Sequence, residues 1–153
     1  MPKIDPNALP VLTGTSYPPP HDAPCAARRV QRLAAAGGLG QFGVNLVVLP
    51  PGSWSSQRHW HSAEEEFVYV LAGELTLVED QGETLLRAGD AAAFPAGGNG
   101  HHLRNLSDAE ARFLAIGSRI DADHGEYPDI DLAFEPDRYR QGPRYRRKDS
   151  GAG

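Results

Sequence analysis

The residues best suited to chemistry lie in one short stretch, RHWHSAEEEFVYVLAGE, at positions 58–74. On a β-strand, side chains two apart share a face and sit roughly 6.5–7 Å from each other, so His59 and His61 can converge on one ion while Trp60 faces away. Neutral imidazole binds first-row divalent ions, and a carboxylate from a neighbouring strand completes a three-ligand set. Three glutamates follow, Glu64, Glu65 and Glu66, and strand parity chooses among them. If Val68 and Val70 fill an interior, Glu66 shares their face. Glu65 then points outward with Phe67, Tyr69 and Leu71.

A lone His-x-His is an ordinary surface pattern, and a run of glutamates is an ordinary solvated face, so this stretch needs support from elsewhere. It comes from GDAAAFPAGGNGHHLRN at 89–105. There a turn, a short apolar strand and a glycine-rich turn lead to a histidine pair. His101, Leu103 and Asn105 alternate onto one face and His102 and Arg104 onto the other, so one histidine of the pair points inward. The turn at 97–100 lacks a following Lys-Ser/Thr and does not read as a phosphate loop.

The elements that must position these groups are short strands. Of the 153 residues, 17 are glycine and 13 proline, a composition that favours many turns over long helices. The length suits one hydrophobic core. Residues 1–28 carry seven prolines, Pro18, Pro19 and Pro20 in a row, and are expected to form an extended arm on the domain, disordered at its start. Residues 29–120 alternate apolar runs with turn residues and read as an all-β barrel or sandwich, with one helical turn near Arg32–Ala36 stopped by Gly37 and Gly38. Residues 121–153 are polar and are expected to form a partly irregular C-terminal extension.

A net charge of −5 gives no general attraction to nucleic acid or anionic membrane, and the basic run RYRQGPRYRRK at 138–148 reads as a solvated or docked terminus. No stretch approaches a membrane span or a secretory signal, and Cys25 is the only cysteine, which excludes an intrachain disulfide and a thiolate zinc site. An unprocessed cytoplasmic protein is expected. Cys25 has no motif around it and reads as inert. Trp60, Phe67, Tyr69 and Leu71 all fall opposite the proposed ligands, and so large an apolar face calls for cover by the arm or by a second copy in a homodimer.

These residues resemble the two motifs of the cupin superfamily, G-x5-HxH-x3,4-E-x6-G and G-x5-PxG-x2-H-x3-N. Gly52, His59, His61, Glu66 and Gly73 match the first, and Gly89, Pro95, Gly97, His101 and Asn105 match the second. Each motif departs by one inserted residue, between Gly52 and His59 and between Gly97 and His101. The texture is that of small single-domain bacterial cupins of the conserved-barrel type. The resemblance implies a double-stranded β-helix, a jelly-roll barrel, with one divalent transition metal per chain (Fe, Mn, Ni or Zn) on His59, His61, Glu66 and His101. It also implies a dimer, and a small-molecule ligand or substrate. The H-x3-N spacing selects His101 over His102. Such a shell leaves about two octahedral positions open, enough for a molecule that chelates through two oxygens. Dioxygenase, isomerase or lyase chemistry and non-catalytic binding or sensing all remain compatible. Glu66 is the candidate proton carrier, Gln57 shares the parity of His59 and is a candidate for orienting a substrate, and Asn105 is a candidate support for a ligand histidine.

Overall fold

Alternation along the chain dictates the main sheet. In EFVYVLA the valines Val68 and Val70 are 6% and 0% exposed while Phe67, Tyr69 and Leu71 are each about two-fifths exposed, so one face is core and the other surface. The computed structural model describes residues 2–149; residues 150–153 of the expected C-terminal extension lie outside them. Thirteen strands follow in order: β1 (Leu12–Thr13), β2 (Arg29–Arg32), β3 (Phe42–Leu49), β4 (Trp60–His61), β5 (Glu66–Ala72), β6 (Glu74–Glu79), β7 (Gly82–Arg87), β8 (Ala91–Phe94), β9 (His101–Arg104), β10 (Ala111–Ser118), β11 (Gly125–Tyr127), β12 (Leu132–Phe134) and β13 (Tyr145–Arg146). Two single-turn helices, α1 (Leu33–Ala36) and α2 (Arg138–Gln141), interrupt them, and Gly37 ends the first.

Every strand pair is antiparallel. One sheet runs β1-β2-β3-β10-β5-β8, a second β7-β6-β9 and a third β13-β12-β11-β4. A two-way backbone bridge joins the last two: the His59 amide donates to the His101 carbonyl at 3.1 Å, and the His101 amide returns at 2.9 Å. Val47, Leu49, Val70 and Phe113 from the first sheet meet Leu75, Leu77, Leu86 and Leu103 from the second in one core. The all-β jelly-roll architecture expected from the sequence is the one observed.

Within the described residues, the segments on both sides of the barrel are built into it. The proline-rich arm supplies β1 as an edge strand, with Leu12 opposite Val30, and its Tyr17 packs edge-on against Tyr127 at 5.3 Å. The polar extension contributes β11 to β13, and Gly125 pairs across to His61. Its basic residues are tied down: Arg140 to Asp121 at 3.1 Å, Arg146 to Glu135 at 2.9 Å and Arg147 to Asp131 at 2.9 Å. The run is therefore a docked terminus.

Three sequence expectations need correction here. Trp60 does not share a face with Phe67, Tyr69 and Leu71, because β4 and β5 belong to different sheets. Nor does the arm's strand cover those three, since β1 lies at the opposite edge of their sheet. Asn105 supports no ligand histidine. Fully buried, it donates to the Leu49 and Ala109 carbonyls, both at 2.8 Å, and accepts from the Ser107 amide, so it closes the turn before β10.

The close approach of β4 and β11 depends on the missing side chain at Gly125. A Cβ there would stand 1.9 Å from the Trp60 carbonyl and 2.5 Å from the Phe134 ring. Gly125→Ala should therefore force β4 off β11 and lower stability by about 1–3 kcal/mol, as overpacking against rigid neighbours does. Urea unfolding measures this, and an unchanged midpoint would contradict the packing described.

Candidate metal centre

Four side chains converge where the second and third sheets meet. His59 and His61 arrive from the strand that crosses this seam, His101 from the start of β9, and Glu66 from the first residue of β5. The Nε2 atoms of His59 and His101 lie 3.3 and 3.0 Å from the Glu66 carboxylate, and His61 Nε2 also contacts it. Nitrogen atoms of His59 and His61 and a Glu66 oxygen fall within 4.8 Å of one another.

What aims these nitrogens is the other nitrogen of each ring. His59 Nδ1 lies 2.8 Å from the Gln57 carbonyl and His101 Nδ1 3.1 Å from the Asn99 carbonyl. A carbonyl only accepts, so each Nδ1 carries a proton, and in the neutral ring Nε2 is left with a lone pair facing inward. His61 Nδ1 donates to Asp123 at 2.7 Å, and Asp123 is held in turn by the amides of Ala63 at 2.9 Å and Glu64 at 3.0 Å. Imidazoles that ligate metals are oriented in this way, through a hydrogen bond from the far nitrogen to a carbonyl or carboxylate. The Phe94 ring stacks on His101 at 3.7 Å and fixes its plane.

The electrostatics favour a cation at the same point. Burial alone would lower the His61 pKa, but Asp123 and Glu66 on either side outweigh it and hold the ring up to about 9. Burial lowers His59. Burial would raise Glu66, yet the three facing imidazoles hold it well below the usual carboxylate range. An ionised carboxylate among three imidazoles, with no thiolate, suits Fe, Mn, Ni or Zn.

The histidine pair divides as strand parity requires, although His102 is not on the surface. It is 2% exposed, donates from Nδ1 to the Ser56 carbonyl at 2.6 Å, and accepts at Nε2 from Arg104 at 3.0 Å. Both nitrogens are used, and burial beside Arg104 pushes its pKa down to about 4. The chain at 54–56 covers it, which alternation along β9 cannot reveal. Gln57 is also buried, and its side-chain amide donates to the His21 carbonyl at 2.9 Å. It anchors the arm, while its backbone carbonyl orients His59.

Asp123, Glu64 and Arg138 carried no recognisable signal in the sequence. Glu64 is 4% exposed, Glu65 is exposed and Glu66 lines the site, so three consecutive glutamates occupy three environments. Glu64 accepts from the Ile120 amide at 2.8 Å, from Tyr139 at 2.7 Å and from Arg138, which also lies 3.3 Å from Asp123. The C-terminal extension thus braces His61 through buried charge. Cys25 is fully buried, and its thiol is pushed up to about 11 by that burial, which makes it a poor nucleophile.

The centre opens into a cavity of about 610 Å³ lined by His59, His61 and Glu66 together with arm residues, Tyr127, Phe134 and several arginines. A smaller space of about 150 Å³ behind it, lined by Val68, Phe94, Leu103 and Phe113, reaches into the barrel.

With this geometry in place, the chain can be compared with known proteins. Residues 45–117 match the model of the cupin domain. A sugar phosphate isomerase of the cupin superfamily from Silicibacter pomeroyi is 46% identical, with 97% of this chain and 94% of that one covered and a TM-score of 0.92. A candidate sugar phosphate isomerase from Acidithiobacillus ferrooxidans is 31% identical over 82% of this chain and 78% of its own, with a TM-score of 0.73. An oxalate-binding protein of Thermotoga maritima is 35% identical over 68 residues, 44% of this chain and 54% of that protein. The chain spans about half the length of the curated relatives it matches. On the matched domain, the near-complete overlap with the Silicibacter protein and the shared barrel, the chain belongs to the cupin superfamily.

Proposed function

We propose that this cupin holds one divalent transition metal (Fe, Mn, Ni or Zn) on His59, His61, Glu66 and His101 and isomerises a small hydroxy-carbonyl compound of the sugar class. The observation that carries this reading is the convergence of three Nε2 atoms on one carboxylate beside an open cavity that His59, His61 and Glu66 line. A closed structural site would leave no room for a ligand. The Silicibacter relative supports the choice of isomerisation over the dioxygenase or lyase chemistry that other cupins perform.

A bound divalent ion would supply Lewis acidity to two neighbouring oxygens of the substrate. The chain's own groups do the rest. Glu66 is the one carboxylate lining the cavity among the described residues, so it is the group placed to take a proton from the hydroxyl-bearing carbon and return it to the neighbouring carbonyl carbon, while the hydroxyl proton passes to the former carbonyl oxygen. Asp123 keeps His61 in the tautomer that turns Nε2 inward. Val68, Phe94 and Phe113 keep the inner end of the site apolar and limit access of water. Gln57, committed to the arm, orients His59 and touches no substrate.

The second reading, a binding module without turnover, is favoured by the oxalate-binding relative. Incubating metal-loaded protein with aldoses, ketoses and their phosphates in deuterated water separates the two. The isomerase reading expects interconversion with deuterium entering at one carbon. Glu66→Gln should slow it by about two to four powers of ten while Glu65→Gln changes little. Tight binding with no product under any of the four metals would retire the enzyme, and oxygen uptake would restore the dioxygenase.

We further propose that Phe67, Tyr69 and Leu71, each about two-fifths exposed on the outer face of β5, pack against a second copy in a homodimer. Light scattering should return twice the chain mass at tens of micromolar, falling to the monomer in Phe67→Glu; a monomeric parent protein would reject the dimer.

A further inference from the structure

We propose that the cavity beside the metal centre binds a phosphate group of the substrate through Arg28, Arg32 and Arg144, with the Asn45 amide meeting the substrate between that group and Glu66. The proposal deepens the isomerase reading and rests on it for the identity of the remainder of the molecule.

Charge is the first argument. Arg28, Arg32, Arg138 and Arg144 line the cavity, against a single carboxylate, Glu66. Arg138 is spent on Glu64 and Asp123. The other three have no carboxylate partner among the described residues, whereas Arg29, Arg58, Arg140 and Arg146 do. Half-buried Arg28 and exposed Arg32 and Arg144 line one cavity and give it a positive wall that an anion would neutralise. Arg28 donates to the Gly14 carbonyl at 2.8 Å and Arg144 to the Pro136 carbonyl at 2.8 Å. These bonds fix where each group sits and leave other N–H donors free, and a guanidinium matches the paired oxygens of a phosphate better than any other side chain.

Asn45 supplies the second argument. It pairs with Arg32 on β2 and Ala115 on β10, and its Oδ1 is buried with no hydrogen-bond partner among the described residues. It lines both the large cavity and the inner space, alongside Glu66 in each. Buried amide oxygens without partners are rare because they forfeit their hydration, and this one belongs to a residue that lines the cavity next to the reacting groups, which points to a ligand hydroxyl as its partner. None of the three arginines lies within residues 45–117, the segment matched by the cupin model. The anion site is thus an addition by the arm, β2 and the C-terminal extension to a common barrel.

The test is equilibrium titration of the full, metal-loaded chain with a fructose phosphate, with fructose and with inorganic phosphate. The parent protein should bind the fructose phosphate far more tightly than fructose, and inorganic phosphate should compete. Each arginine removed should weaken the fructose phosphate on the order of tenfold or more, with fructose unchanged. Arg32→Gln is the clean variant, because no hydrogen bond of Arg32's guanidinium appears among the described residues, and its thermal unfolding should match the parent. Arg28→Gln with Arg144→Gln tests the other two, and Arg32→Lys should keep part of the affinity. Equal affinity for fructose and its phosphate, or phosphate binding untouched in all the arginine variants, would overturn the site. In His59→Ala with His61→Ala, inorganic phosphate binding should persist; its loss there, with the arginine variants unaffected, would place the anion on the ion and also overturn the proposal. Absence of isomerisation together with arginine-dependent phosphate binding counts against the enzyme alone.

Discussion

The centre of this protein is an arrangement that is unfavourable without a positive charge. Three imidazoles present Nε2 to one carboxylate, and in two of them a backbone carbonyl holds a proton on Nδ1. Nε2 of those rings lies about 3 Å from the oxygens of Glu66, so with neither a proton nor a cation between them their lone pairs would repel. In the third ring two carboxylates hold a proton with a pKa near 9, which is the chain's own partial answer to the excess of electron pairs. A divalent cation answers it fully.

Holding such a cluster together requires scaffolding with little freedom, and the topology supplies it. His59 and His101 are locked by their mutual backbone bridge, and Glu66 by β5 inside a six-stranded sheet. His61 is the buried flank of the arrangement that leans on the C-terminal extension. It depends on β11, on Asp123 and on the Glu64, Arg138 and Tyr139 network behind it. Burying Glu64 and Asp123 carries a large desolvation cost, offset by Arg138 and by donated amides from Ile120, Ala63 and Glu64. The C-terminal extension is therefore part of the site's support.

Much of this was legible in the sequence because strand alternation is a strict rule. Parity alone placed Glu66 inward and Glu65 outward, separated His101 from His102, and predicted the exposed row Phe67, Tyr69 and Leu71. It failed where a side chain's surroundings come from distant segments. Alternation along β9 turns His102 away from the cluster but cannot foresee that residues 54–56 fold over it. Parity likewise aligned Trp60 with Phe67 across a loop that in fact changes sheets. Asp123 lies in SRIDADHGEY, where no period marks it, and Arg28, Arg138 and Arg144 come together only when arm and extension dock.

The most direct measurement is X-ray absorption spectroscopy at the metal edge of protein loaded with one equivalent of zinc or manganese. The account predicts a first shell with three imidazole nitrogens and at least one carboxylate oxygen, and the loss of two of those nitrogens in His59→Ala with His61→Ala. A shell of oxygens alone, or one unchanged by that double substitution, would contradict it.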